Sequence, residues 1–186
     1  ASTAGPLRPC GPSSGTVAAI GARSARVTWD GRLNSGGLSG AWSLAVSSLA
    51  AGRQSGAAAA FGRGVYFSGG VNGGVASEVF VSSVQTDGTL LSWRATSGLP
   101  APRHSHAMAA WRNVLYVTGG FDGSARPTVW YAPILADGSV GEWRTTTPLP
   151  APRFRHAMAV HDGRLYVAGG DNGVFAQATV YYADIQ

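Results

Sequence analysis

Two short runs concentrate the side chains able to do chemistry. Arg103, His104 and His106 form one; Arg153, Phe154, Arg155 and His156 form the other, fifty residues later. Arginine presents a planar fork of donors suited to carboxylates, and histidine can donate, accept or ligate a metal near neutral pH. Asp122 and Arg126 follow the first run, and Asp171 and Asn172 follow the second. Such an Arg/His surface suits an acidic peptide or an anionic sugar. Arg53, Arg103 and Arg153 recur at one position, and His106 recurs as His156, so a framework role is the first expectation for them. His104, Arg126, Phe154 and Arg155 do not recur, and with Asp171 and Asn172 they are the expected ligand-binding residues. A general acid/base pair could be built from Asp122 or Asp171 with His104 or His156, although any polar loop contains such residues.

An internal repeat positions both runs. Leu99-Pro100-Ala101-Pro102-Arg103 returns as Leu149-Pro150-Ala151-Pro152-Arg153, and His106-Ala107-Met108-Ala109 as His156-Ala157-Met158-Ala159. Leu115-Tyr116-Val117-Thr118-Gly119-Gly120 returns as Leu165-Tyr166-Val167-Ala168-Gly169-Gly170, and Asp87-Gly88 with Trp93 as Asp137-Gly138 with Trp143. An older copy runs from Leu49 to Arg53 and then through Val65-Tyr66-Phe67-Ser68-Gly69-Gly70; Gly36-Gly37 and Trp42 fit the same frame with a one-residue slip. Each copy reads as four short strands. In the second they are 106–111, 114–118 after the turn Arg112-Asn113, 128–135, and a last strand holding Trp143 after Asp137-Gly138. Asp-Gly between apolar runs is a strong hairpin signal, and glycine reaches positive φ without steric penalty. The prolines of the linker keep it out of a central ladder.

The period near fifty, the Gly-Gly doublet after a strand, a Tyr three residues before it and a Trp about 23 residues after it resemble kelch repeats over residues 27–186. That resemblance implies an all-β fold: a kelch-type β-propeller or partial propeller with about three to four four-stranded antiparallel blades per chain. It implies close backbone approach at Gly69, Gly70, Gly119, Gly120, Gly169 and Gly170, and packing of Tyr66, Tyr116, Tyr166, Trp42, Trp93 and Trp143 between blades. Residues 1–15 are a Pro/Gly/Ser-rich tail. Blade strands then occupy 27–53 in part, 54–98, 104–148 and 154–186, the last lacking its fourth strand. Such an arc needs closing: by a second copy of the chain, which is preferred, by blades of a longer chain, or by residues 16–44 in a four-blade monomer. The long loops 70–77, 121–127 and 171–177 share one face, where partners of such propellers commonly bind.

Composition narrows the function classes. Only 12% of residues are charged, with 27 Gly and 10 Pro, which disfavours long surface helices. The net charge of +5 comes entirely from arginine, dispersed rather than clustered, so no nucleic-acid partner is expected. Apolar stretches such as 57–61 fall far short of the roughly 18 residues of a membrane span. Cys10 is the sole cysteine, which excludes an intrachain disulfide and a cysteine zinc site; no metal or cofactor is expected. The start lacks Met and a leader pattern, consistent with a removed signal or a piece of a longer chain, and an extracellular or cell-surface place is the expectation. Some kelch-like propellers are copper-radical oxidases, which need a Cys crosslinked to Tyr within the fold; Cys10 lies in the tail. The expected function is a non-catalytic binding or adhesion module for a protein segment or glycan. The alternatives are an enzyme resembling N-acetylneuraminate epimerase, using Asp171 or His156, and a self-assembling structural module.

Overall fold

The computed structural model describes residues 44–186. The tail, Cys10, Trp42 and the strands expected before residue 44 lie outside the described residues. Among the described residues eleven strands make three antiparallel sheets, each running in chain order. The first sheet comprises β1 (Ala57–Phe61), β2 (Gly64–Ser68), β3 (Val79–Ser83) and β4 (Arg94–Thr96). The second comprises β5 (Ala107–Trp111), β6 (Val114–Thr118), β7 (Val129–Pro133) and β8 (Arg144–Thr146). The third has β9 (Ala157–His161), β10 (Arg164–Ala168) and β11 (Val180–Asp184). Among the described residues no helix is long and apolar enough to cross a membrane.

Local sequence explains each hairpin. Arg112 with φ +42° and the pair Asp162 (φ +46°) and Gly163 (φ +72°) form two-residue turns whose left-handed backbone matches the twist of the strands they join. The registers follow: Ala109 faces Tyr116, and Tyr116 faces Tyr131. The first strand of each sheet is built of small residues, AAAAF, AMAAW and AMAVH. Small side chains let these strands stand side by side, β5 between β1 and β9. Between the first and second sheets lies a core containing Tyr66, Val79, Val81, Leu115, Val117 and Trp130, with Val79 and Leu115 wholly buried.

The fourth strands differ from expectation. Trp143 stands just outside β8, because the hairpin 137–143 leaves the ladder and packs against the first sheet. There Tyr66 Oη donates to the Gly138 carbonyl at 3.1 Å, and Trp143 Nε1 donates to the Ser97 carbonyl at 2.9 Å. Thr96 Oγ1 accepts from the Val140 N–H at 2.7 Å. The third strand likewise stops at Pro133, since the Leu135 N–H turns to the Ser139 carbonyl at 2.8 Å. His106 falls just before β5, where its ring turns toward the neighbouring sheet. In the third sheet the loop after the doublet is one residue longer: Asp171 bridges to Ala176, where Phe121 bridges to Ala125.

Candidate functional site

The recurrent arginines point inward. Arg103 and Arg153 are 2% and 1% exposed, so neither belongs to a free surface. Each repeat arginine lies over an aromatic ring of its own sheet's third strand: Arg53 on Phe80 at 5.1 Å, Arg103 on Trp130 at 4.7 Å, Arg153 on Tyr181 at 5.1 Å. A desolvated cation over a ring gains about 2 kcal/mol. The fork also ties down the loop. Arg153 Nη1 donates to the Gly169 carbonyl at 3.3 Å and Nη2 to Thr179 Oγ1 at 2.9 Å. Arg53 reaches the Gly69 carbonyl at 3.4 Å and Glu78 at 3.2 Å. Arg103 pairs instead with Asp122, 3.3 Å away.

The recurrent histidines join one sheet to the next. His106 Nε2 meets Ser68 Oγ at 2.7 Å, and His156 Nε2 meets Thr118 Oγ1 at 2.8 Å. Burial, reinforced by Arg103, His156 and His104, drives the His106 pKa down to about 3. Burial and Arg153 take His156 down to about 4. Both rings are therefore neutral at physiological pH, and His156, one of the two residues named for the epimerase-like reading, is bonded to Thr118.

The Gly-Gly doublets fit between these elements. A Cβ on Gly119 would strike the Arg153 carbonyl and come within 2.8 Å of the His156 ring; one on Gly69 would strike the Arg103 carbonyl. The second glycine of the first two doublets donates across the sheets, Gly70 N–H to the Arg103 carbonyl at 2.9 Å and Gly120 N–H to that of Arg153 at 2.7 Å.

At the long-loop end three half-buried rings lead to the exposed Arg155. His104, Phe121, Phe154 and Arg155 form one continuous run. Ring centroids of His104 and Phe121 are 5.4 Å apart, those of Phe121 and Phe154 5.1 Å, and the Arg155 guanidinium lies 5.2 Å from the Phe154 ring. Paired bridges hold the run in place, His104 to Phe121 and Phe154 to Asp171. Ser55, Ser105 and Arg155 all have left-handed φ, at +58°, +53° and +55°. Their strain is held by a ladder between sheets: the Ser105 N–H donates to the Ser55 carbonyl and the Arg155 N–H to that of Ser105, both at 2.7 Å.

The remaining expected residues are occupied within their own loops. Arg126 Nε donates to both Asp122 oxygens, at 2.8 and 3.0 Å. Burial pushes the Asp122 carboxyl up, but Arg126 and Arg103 outweigh it and hold the pKa below the ordinary value. Asp171 Oδ1 accepts from the Gly173 N–H at 2.6 Å, and Asn172 Oδ1 from Val174 and Phe175 at 2.9 Å. The arrangement thus brings His104, Phe154 and Arg155 together and leaves Arg126, Asp171 and Asn172 shaping their loops. Phe121 was missed by sequence reasoning, which weighed charge and passed over a lone aromatic beside a doublet.

Comparison with known proteins agrees with this build. The family model described as the Kelch motif matches residues 102–131 and again 152–182. Each match runs from the buried arginine's linker to the third strand of one sheet. No curated protein matches the chain. With two matched motifs laid on two sheets of the same build, and a third sheet of that build before them, this is a kelch-repeat chain whose sheets are blades of a partial propeller.

Proposed function

We propose that the chain is a non-catalytic binding module that takes a protein segment at its long-loop end, with Arg155, Phe154 and His104 as the contacting residues. The observation that carries this reading is the His104–Phe121–Phe154–Arg155 run. It offers an aromatic surface beside an exposed guanidinium, on a backbone fixed by the inter-sheet ladder. No carboxylate pairs with Arg155 among the described residues. Function usually resides on loops held by a rigid scaffold, and aromatic and arginine side chains dominate binding energy. The segment favoured by this chemistry carries a carboxylate next to an aromatic or apolar side chain.

The test is fluorescence anisotropy with a labelled Glu-rich peptide bearing one Trp, against a Lys-rich counterpart and an anionic polysaccharide. Saturable binding of the acidic peptide, weakened at least tenfold by Phe154→Ala with Arg155→Ala, supports the reading. Binding unchanged by those substitutions overturns it, and preference for the polysaccharide moves the ligand class to glycans.

A further inference from the structure

We infer that Asn172 is a self-modifying residue: its side-chain amide is lost through attack by the Gly173 backbone nitrogen, with Asp171 as the base and two backbone N–H groups holding the developing charge.

Two asparagines precede a glycine, Asn72 with Gly73 and Asn172 with Gly173, in the loops after the first and third doublets. A glycine in that place carries no side chain to shield its nitrogen, which can close on the asparagine Cγ as a five-membered imide. Nucleophile and target are already tethered, which removes the entropy of bringing them together. An unassisted Asn-Gly pair still lacks a base for the nitrogen's proton and donors for the amide oxygen.

The third sheet's loop provides both. Gly173 N–H donates to Asp171 Oδ1 at 2.6 Å, so the proton that must leave points at a carboxylate. Asp171 pairs with no cation among the described residues. An amide hydrogen bond lies in the peptide plane, and the nitrogen's π electrons, perpendicular to that plane, stay free to attack. Asn172 Oδ1 accepts from the N–H groups of Val174 and Phe175, both at 2.9 Å. Two backbone donors on one oxygen are the arrangement that stabilises a tetrahedral oxyanion. Gly173 has φ +98°, and a Cβ there would meet only Ala125 Cβ, at 3.6 Å, so the backbone has room to move into the ring. Residues 173–176 are exposed, as are 72–75 in the first sheet's loop, where a further sheet stands alongside, so water reaches the tip.

The chemistry balances without a co-reactant other than water. Asp171 takes the Gly173 proton as the N–Cγ bond forms, and the proton passes to the amide nitrogen as the Cγ–Nδ2 bond breaks and ammonia leaves. Water then opens the imide at either carbonyl, leaving aspartate at position 172 in the normal or the β-linked form. The loop gains one negative charge beside Asp171, whose backbone is bridged to Phe154. The first sheet's loop lacks both aids. Val71 stands where Asp171 does, the loop is one residue shorter, and among the described residues the Asn72 side-chain oxygen accepts no N–H.

The rates at the two asparagines of the full chain at pH 7 test this. Cleavage at arginine places them in peptides 64–94 and 165–186, and fragmentation mass spectrometry reads the amide-to-carboxylate change at each. In the folded chain Asn172 should convert at least about tenfold faster than Asn72, a small part of what a positioned base and oxyanion donors contribute elsewhere. In urea, where only residual local structure remains, the two rates should agree within a factor of about three. Asp171→Asn keeps an acceptor for the Gly173 N–H but removes the base, and should slow Asn172 about tenfold. A loop that merely pinned the side chain would protect it, so a folded chain in which Asn172 converts no faster than Asn72 overturns the inference. A ratio that persists in urea overturns it too, as does an unchanged rate in a variant folded by circular dichroism. Should the variant fail to fold, the folded and unfolded rates of the parent decide alone.

Discussion

Lowering the pH from 7 to 5 should strip stability from the interfaces between sheets, at pH values above those where the ion-paired Asp122 and Glu78 lose their charge. His106 and His156 are neutral in the folded protein, with pKa values driven to about 3 and about 4 chiefly by burial. Their Nδ1 atoms are buried without a hydrogen-bond partner, so a proton gained there finds no acceptor. In the unfolded chain each ring titrates near 6.5. The folded values are depressed, so the stabilisation is fully present above pH 6.5 and is lost as pH falls toward 4 and 3. Each unit of pH below 6.5 costs about 1.4 kcal/mol per histidine, hence about 4 kcal/mol for the two at pH 5. With a urea slope near 2 kcal/mol per molar, the unfolding midpoint drops by about 2 M. The assay is urea unfolding followed by tryptophan fluorescence at pH 7, 6 and 5, on the parent and on His106→Gln with His156→Gln, which removes the titration. Asp122 and Glu78 have pKa values below their ordinary ones, so their contributions fade in a separate window below about pH 4.5. A parent midpoint that does not move between pH 7 and 5, or one that moves equally in the double variant, refutes the reasoning.

Three further outcomes are expected. Gly119→Ala forces a side chain into φ +60° against the Arg153 carbonyl and the His156 ring, and should lose about 3 kcal/mol or more in urea unfolding, from left-handed strain plus overpacking. Thr96→Val leaves the buried Val140 N–H without its 2.7 Å partner and should cost about 1–3 kcal/mol by the same assay. Arg153→Met keeps the stem but removes the bonds to the Gly169 carbonyl and Thr179, and amide exchange should quicken in the loop 171–177 while β9 and β10 stay protected.

Features fixed within one repeat were legible, and features fixed by a neighbouring sheet were not. Strand positions and the doublet glycines follow from residues that recur with the repeat, and the turns at Arg112-Asn113 and Asp162-Gly163 fall at one recurring position between them, so self-comparison exposes all three. The positive φ of Ser105 and Arg155 carries no such mark. Neither residue favours that conformation, and each is held there by a bond to the adjacent sheet. The place of the repeat arginines was half legible. Their recurrence pointed to a framework role, and the aromatic series Phe80, Trp130, Tyr181 recurs as well, but only the fold brings the two series face to face. Arg126 was legible in principle, since an Asp four residues earlier within one short loop is a ready partner, and reading it as free overlooked that spacing. Asn172 erred similarly: Asx side chains in tight loops tend to cap their own backbone. The residues that survive as ligand candidates, His104, Phe154 and Arg155, neither recur in the repeat nor find a partner in their own loop, apart from the His104 contact with Ser105 at 3.0 Å. A position that escapes both kinds of constraint is free to follow a partner, and for that reason the binding proposal rests on this run and not on the better-conspicuous recurrent arginines and histidines.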